Sequence, residues 1–195
     1  MADLDIQKVF IGLVEKIKSI TKDDKAFWQT AKEEQITVSG YYHNFLMYLA
    51  AISSLVALIQ GIPGGILSAL FMSVVTFGIA LGSYYVFALL ANKIGSIFNG
   101  GTSTEDSLKW VGYSSMVSTA GSIVGLIPVI GWLVYLAACG YGLYLSYRGA
   151  GQMIQVPEDK QLPFFVTYVV AVVLLSFVVF GTLGFFGAML VATSS

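Results

Sequence analysis

Charge is what this sequence has least of. Only 11% of its 195 residues are Asp, Glu, Lys or Arg, against roughly 25% in a soluble domain. The shortage is also uneven. No charged residue occurs at any of the 58 positions from 35 to 92, the 38 from 110 to 147, or the 35 from 161 to 195. A water-soluble fold of this length needs ionic groups over its whole surface and could not be built on such stretches.

Other shortages exclude chemistry. A lone cysteine, Cys139, excludes an internal disulfide. It sits apart from the only histidine, His43, so no metal-binding constellation can form between them. Cys139 is expected as an inert buried thiol and His43 as a polar residue at the mouth of the first span. The uncharged stretches contain no carboxylate that could serve as an intramembrane acid, which disfavours an ion-coupled pump. No nucleophile–base pair, phosphate loop or dinucleotide fingerprint is present, and Gly149-Ala150-Gly151 follows no strand. The chain is therefore read as having no catalytic residues, cofactor or metal, and as not an enzyme. Its net charge of −1 gives no signal for nucleic acid, and none is expected as a partner. Residues 1 to 34 carry thirteen charges and no apolar core, so no cleavable signal peptide is expected and the first span would act as its own signal.

What is abundant is apolar and aromatic, at 56% and 14% of the residues. Each uncharged stretch holds one or two spans of about 20 residues, the length that crosses a hydrocarbon core of roughly 30 Å. Five spans are expected, near residues 42–60, 66–91, 108–127, 132–147 and 162–186. Turns at Pro63 and Pro128 close two hairpins, because proline and the flanking glycines stop a helix and allow reversal. Polar loops fill 95–106 and 149–160. In the last span sixteen of the 23 residues from 164 to 186 are Leu, Val or Phe, which favours insertion by very roughly 5–10 kcal/mol.

Ahead of the spans, Ile6, Val9, Phe10, Leu13, Ile17 and Ile20 recur at three- and four-residue intervals behind Asp3 as N-cap, the pattern of an amphipathic helix. Its surroundings up to Glu34 hold six lysines and seven acids, so it is no polybasic lipid anchor. Three placements stay open for it: across the ends of the bundle, in the headgroup layer, or on a cytoplasmic protein partner bound through residues 1–34. The fold class expected is all-α, a polytopic membrane protein of five transmembrane helices with an N-terminal cytoplasmic amphipathic helix. Residues 1–39 form the cytoplasmic segment and 40–195 the transmembrane domain.

Orientation follows from the cations. Six lysines precede the first span, Lys93 and Lys109 flank the second-to-third loop, and Arg148 and Lys160 flank the fourth-to-fifth. Together these are all ten Lys and Arg, while the two proline turns and the C-terminal tail have none. By the positive-inside rule the N-terminus is cytoplasmic and the C-terminus is not. Trp28, Tyr41, Tyr42, Tyr84, Tyr85, Trp110 and Tyr147 then fall near the inner boundary and Trp132 near the outer one, as an interfacial belt would.

Small residues mark the helix-packing candidates. Gly78 and Gly82 form one GxxxG pair and Gly121 and Gly125 another, Ser114, Ser118 and Ser122 stand four apart, and Ala138 and Gly142 repeat the spacing. Such faces let helices approach closely in lipid, either within the bundle or between copies in a homo-oligomer.

The run from Gly100 to Lys109, followed by Val111-Gly112-Tyr113-Ser114-Ser115, then Ile127-Pro128, then Tyr141-Gly142-Leu143-Tyr144 and the loop from Gly149 to Lys160, resembles the Yip1 domain over about residues 40–190. The resemblance implies a multi-pass, non-enzymatic membrane protein. Eukaryotic members reside in Golgi and ER membranes and contact Rab-type GTPases. This chain lacks the Asp-Leu-x-Gly-Pro element before the first span, has a short N-terminal segment, and has no proline soon after Gly112-Tyr113-Ser114, which points to a prokaryotic relative in a cell membrane. A scaffold or adaptor is the function expected, and a small channel or oligomeric transporter for a neutral solute, using the Ser, Tyr and Gly faces, is the alternative.

Overall fold

The computed structural model describes the backbone of residues 6–193 and the side chains of residues 11–179. The expected N-cap at Asp3 and the side chains of Ile6, Val9 and Phe10 lie outside the described residues. Within them the chain is helical and contains no strand. The helices are α1 (Ile6–Lys22), α2 (Asp24–Glu33), α3 (Val38–Tyr41), α4 (Met47–Gly61), α5 (Ile66–Ile97), α6 (Thr104–Val124), α7 (Gly131–Met153) and α8 (Glu158–Thr193). A π-helical turn, Tyr42–Leu46, carries α3 directly into α4.

Among the described residues three helical stretches are long and apolar enough to cross a membrane: Val38–Gly64, Ile66–Ile97 and Glu158–Val179, with mean hydropathies of 2.0, 2.0 and 2.6. The chain is thus an all-helical protein with membrane-spanning segments. At about 1.5 Å per residue, α6 with 21 residues and α7 with 23 reach about 31 and 35 Å. Their serines, tyrosines and glycines make them less apolar than the other three.

Local chemistry sets the boundaries. Asp23 caps α2 by accepting from the Ala26 N–H at 3.0 Å, and Ser103 caps α6 by accepting from Asp106 N–H at 3.0 Å. Glu105 and Asp106 in the first turn of α6 also suit its positive dipole end. Between α4 and α5 the turn Ile62–Gly64 is a 3₁₀ turn around Pro63, and Gly65 follows with φ of 118°, a conformation that only glycine adopts freely. The turn at Pro128 is tighter in kind: Val129, a β-branched residue, is held at φ of 68°, and Gly131 lies so close to the Val124 carbonyl that a Cβ there would overlap it.

Both turns lie at one end of the bundle, the turn end. α1, α2 and the loops at 98–103 and 154–157 lie at the other, the charged end. The densest helix pairs are the hairpins α4–α5 and α6–α7, bridged by α5 against α6 and α8. Burial is concentrated at the charged end. Leu46 of the π turn, Leu49 and Ala50 of α4, Ala88, Ala91 and Ile94 of α5, Leu145, Ala150 and Met153 of α7, and Phe164 and Tyr168 of α8 are all buried there.

The structure departs from the sequence expectations in five places. α5 runs to Ile97 and α6 begins at Thr104, so the loop expected over 95–106 shrinks to 98–103 and the second span extends past 91. A separate helix, α2, occupies residues that periodicity left unassigned. The first span begins at Val38 rather than near 42, because Thr37 caps it by accepting from the Gly40 N–H at 3.2 Å. α7 runs past Arg148 to Met153, so the expected loop from 149 shrinks to four residues. Trp28, Tyr41, Tyr84 and Trp110, expected in an interfacial belt, are buried inside the protein, while Trp132 and Tyr85 are exposed as a belt requires.

Candidate functional site

α2 is short, and its last carbonyls have no partner within the helix, as at any helix C-terminus. They are met by a lysine from another element. Lys109 on α6 is 3% exposed, and its ammonium donates to the carbonyls of Ala31 at 2.9 Å, Lys32 at 3.3 Å and Glu34 at 3.0 Å. It also pairs with the Asp106 carboxylate at 2.8 Å, one turn back on its own helix. A buried charge is tolerable only when its donors are satisfied and a counter-charge is near. Here both conditions hold, and the cation also faces the negative end of the α2 dipole.

Next to this cap stands Tyr113, one turn on from Lys109. Its hydroxyl donates to one oxygen of the Glu34 carboxylate. Lys16 of α1 pairs with the other carboxylate oxygen at 3.0 Å, donates to the Tyr113 hydroxyl at 3.1 Å, and lies 4.6 Å above its ring, a favourable cation–π placement. The Tyr113 ring sits edge-on among Phe27 of α2, Tyr41 of α3 and Phe45 of the π turn, at centroid distances of 5.3, 5.4 and 4.9 Å. One side chain therefore ties three segments to α6. Its neighbour Gly112 is required for this. A Cβ there would lie 2.6 Å from the Tyr41 hydroxyl and 2.8 Å from Leu46 Cδ2.

The same arm is fastened to α7. Trp28 is fully buried over Gly149, where any Cβ would overlap the indole. Arg148 donates to Asp24 at 2.6 Å, and this pairing holds the Asp24 carboxyl below its ordinary pKa, outweighing partial burial that would raise it. Lys32 donates to the Gln152 carbonyl at 2.9 Å, and Thr102 to the Met153 carbonyl at 2.8 Å, so the C-terminus of α7 is capped by outside groups just as that of α2 is. Trp110 adds a bond from its indole N–H to the Ser146 carbonyl at 2.9 Å. The result is a latch joining α1 and α2 to the charged end of α6 and α7.

Of the residues singled out from sequence, Gly112 and Tyr113 lie in this latch. Ser114 is buried beside them, its hydroxyl lacking a partner among the described residues. A second group lies on the α6–α7 seam. A Cβ on Gly121 would overlap that of Ala138, one on Gly125 would lie 3.5 Å from the Tyr135 Cβ, and one on Gly142 would lie 3.1 Å from the Ser114 carbonyl and 4.0 Å from the Ser118 Cβ. Ser122 turns its hydroxyl to the Thr119 carbonyl, and Tyr141 stacks on Tyr144. Gly78 and Gly82 are different, since a Cβ at either would meet nothing within 4 Å. Pro63 and Pro128 sit in the two turns. Cys139, expected buried, is half-buried, and exposed His43 hydrogen-bonds the Ser39 carbonyl at 3.0 Å. Among the described residues no group of three or more His, Cys, Asp or Glu is placed to hold a metal.

Lys109, Lys16, Glu34, Trp28 and Gly149 are not singled out by sequence patterns as members of a site. Lys109 in particular stands four residues after Glu105 and three after Asp106, so its spacing reads as an ordinary ion pair on a helix surface.

Toward the turn end, α4, α6 and α7 diverge around a cavity of about 380 Å³ whose lining includes Ser53, Gln60, Ser118, Ser122, Trp132 and Tyr135. A second cavity of about 650 Å³, mostly apolar, adjoins α5 and α8 and shares Ser53 and Tyr135 with the first.

A model of the Yip1 domain matches residues 17–180. No curated protein and no solved structure gives a match. The chain belongs to the Yip1 domain family, and the matched segment reaches back through α2 to residue 17, so it takes in most of the latched arm as well as the helices.

Proposed function

We propose that this chain is a non-enzymatic, five-span membrane protein of Yip1 type that works as a scaffold or adaptor, presenting a fixed cytoplasmic arm to the bilayer surface or to a protein partner. The observation that carries the reading is the latch. A buried lysine, a tyrosine–carboxylate bond and a buried tryptophan hold residues 16–34 in one geometry, and a preformed surface binds without first being ordered. The five-span count draws on the lengths of α6 and α7 and on the placement of every Lys and Arg away from the two turns. The absence of an Asp-Leu-x-Gly-Pro element directly before the first span supports a prokaryotic cell membrane. Gly78 and Gly82, open on α5, are the face offered to a second copy in a homo-oligomer.

Orientation is tested by cysteines at Ile127 and at Glu105 in a Cys139→Ala background. An impermeant thiol reagent applied to intact cells should label the first and not the second. Equal labelling of both would refute the topology. Function is tested by affinity capture with the full chain and with Lys109→Met. A specific partner retained by the first and lost from the second supports the adaptor. The alternative, a channel or transporter protomer for a neutral solute, is favoured by the two cavities that meet at Ser53 and Tyr135. Saturable solute flux into reconstituted liposomes would establish it and displace the scaffold.

A further inference from the structure

The cavity between α4, α6 and α7 has the lining of a ligand site rather than of lipid packing, with four hydroxyl side chains, an amide and two aromatic rings besides its apolar residues. We propose that it binds an uncharged polyhydroxyl group, a monosaccharide-sized ring or a glycerol moiety, entering from the turn end.

Three observations define the ligand. The first is that hydroxyls and an amide line the cavity without any charged side chain. An ion brought to this depth without a counter-charge would be strongly disfavoured, so the ligand is neutral. The second is the state of the hydroxyls. Ser53 donates to the Leu49 carbonyl at 3.1 Å, Ser118 to the Ser115 carbonyl at 2.9 Å and Ser122 to the Thr119 carbonyl at 2.6 Å. Their protons are committed to the helices, so what they turn to the cavity is lone pairs. A ligand rich in O–H donors satisfies three such acceptors, whereas a ketone or ether does not. Gln60, on the last turn of α4, supplies the complementary group: its exposed side-chain amide has no hydrogen-bond partner among the described residues, and it offers both a donor pair and an acceptor.

The third observation is the aromatic wall. Trp132 and Tyr135 stand three apart on α7, on one face of the helix, and both line the cavity while remaining substantially exposed. An indole and a phenol present apolar ring faces with one polar handle each, which suits a ring that has C–H groups on its faces and hydroxyls at its rim. The volume, about 380 Å³, is near the lower end of the roughly 300–1,000 Å³ of small-molecule sites and admits one sugar ring rather than a chain of them. The same group could arrive as a free solute or as the headgroup of a neutral glycolipid.

Trp132 makes the test direct, because Trp28 and Trp110 are fully buried and respond little to a collisional quencher. The full chain in phosphatidylcholine nanodiscs is titrated with methyl β-glucoside while acrylamide quenching is read, and the measurement is repeated in nanodiscs containing monoglucosyl diacylglycerol. Saturable shielding by the free glucoside identifies a solute site. Shielding only in the glycolipid discs identifies a headgroup site. Gln60→Leu and Ser122→Ala, both at positions outside the buried core, should each weaken the shielding several-fold, up to about tenfold, as expected for one neutral hydrogen bond. Glucose 6-phosphate should shield far less than the glucoside. The proposal is overturned if neither probe shields Trp132, if both variants respond as the unaltered chain does, or if the phosphorylated sugar binds equally well.

Discussion

At the charged end α6 buries eight consecutive residues, 107–114, while at the turn end α7 exposes six in a row, 132–137. A helix that is buried on every side is surrounded at that level, and one that is exposed all round is not. The α6 stretch is enclosed by α2, α3, the π turn and α7. The α7 stretch faces lipid and a cavity. The contrast is chemical as well. The main polar fastenings at the charged end join groups far apart in sequence, Lys109 with Ala31 and Tyr113 with Glu34. At the turn end the hydroxyls mostly bond their own helices. Long-range polar contacts therefore dominate at the charged end, whereas close helix packing with few inter-helix hydrogen bonds, such as Ser54 with Ser73, marks the turn end. Rigidity is concentrated where the arm docks, and room is left where the turns are.

The largest effect should come from removing the cation at the centre of the tight end. Lys109→Met leaves the carbonyls of Ala31 and Lys32 without their lysine donor and Asp106 without its counter-charge, while the Glu34 carbonyl keeps only the Ile36 N–H at 3.2 Å. Orphaned buried groups of this kind cost about 3 kcal/mol or more. Trypsin should then cut the arm at Lys22 or Lys25 much faster in detergent, with the thermal midpoint lowered. An arm that stays equally protected would mean that the latch does not depend on its lysine, and the comparison between the ends would fail.

The two GxxxG pairs give the next largest difference. Gly121→Leu forces a side chain into the Ala138 Cβ on the α6–α7 seam and should cost about 1–3 kcal/mol, the range for overpacking. Gly78→Leu and Gly82→Leu enter open space and should leave the unfolding midpoint within about 0.5 kcal/mol of the parent. Size-exclusion of the Gly82→Leu protein in mild detergent adds an independent measure: a smaller assembly than the parent would place a second copy on that face.

Much of this is legible in the sequence for a simple reason. Long uncharged runs admit few alternatives to apolar helices, and proline with glycine marks their turns, so the α4–α5 and α6–α7 hairpins follow from composition and spacing. The GxxxG patterns are equally visible, but spacing on one helix says nothing about the partner. Gly121 meets α7 and Gly78 meets nothing, although both pairs read the same. The latch is hidden for another reason. Lys109 resembles a loop cation that marks topology, and Trp28 resembles an interfacial anchor, until the chain returns α2 across α6 and α7. Contacts such as Lys109 with Ala31 are 78 residues apart, and one sequence holds no record of which distant carbonyl a lysine will find.

A finer cut at the same end is Tyr113→Phe. It keeps the ring among Phe27, Tyr41 and Phe45 and deletes the hydroxyl that binds Glu34 and receives Lys16. About 1 kcal/mol should be lost, the ordinary net worth of a hydrogen bond. Hydrogen exchange should rise in α1 and α2 and stay unchanged in α5. If exchange in α5 rose equally, the arm and the bundle would be one cooperative unit.

The smallest effect expected is one of pH, and it concerns the outermost fastening. Asp24 is held below its ordinary value of 3.8 chiefly by its bond to Arg148. A carboxyl depressed in the folded state contributes stability above its unfolded value and loses that contribution as pH falls through the folded one. The pair lies at the surface with both partners partly exposed, so water and salt screen it and its worth is small. The protection of α2 amides, exchange corrected for the intrinsic rate at each pH, should therefore be constant from neutral pH to about 4 and fall modestly below it, more steeply at low salt than at high. Asp24→Asn should remove that acid response and leave the Lys109 cap intact. An α2 that loosens near neutral pH, or one whose acid response survives Asp24→Asn, would mean that the Asp24–Arg148 pair is not what fastens the outer end of the arm.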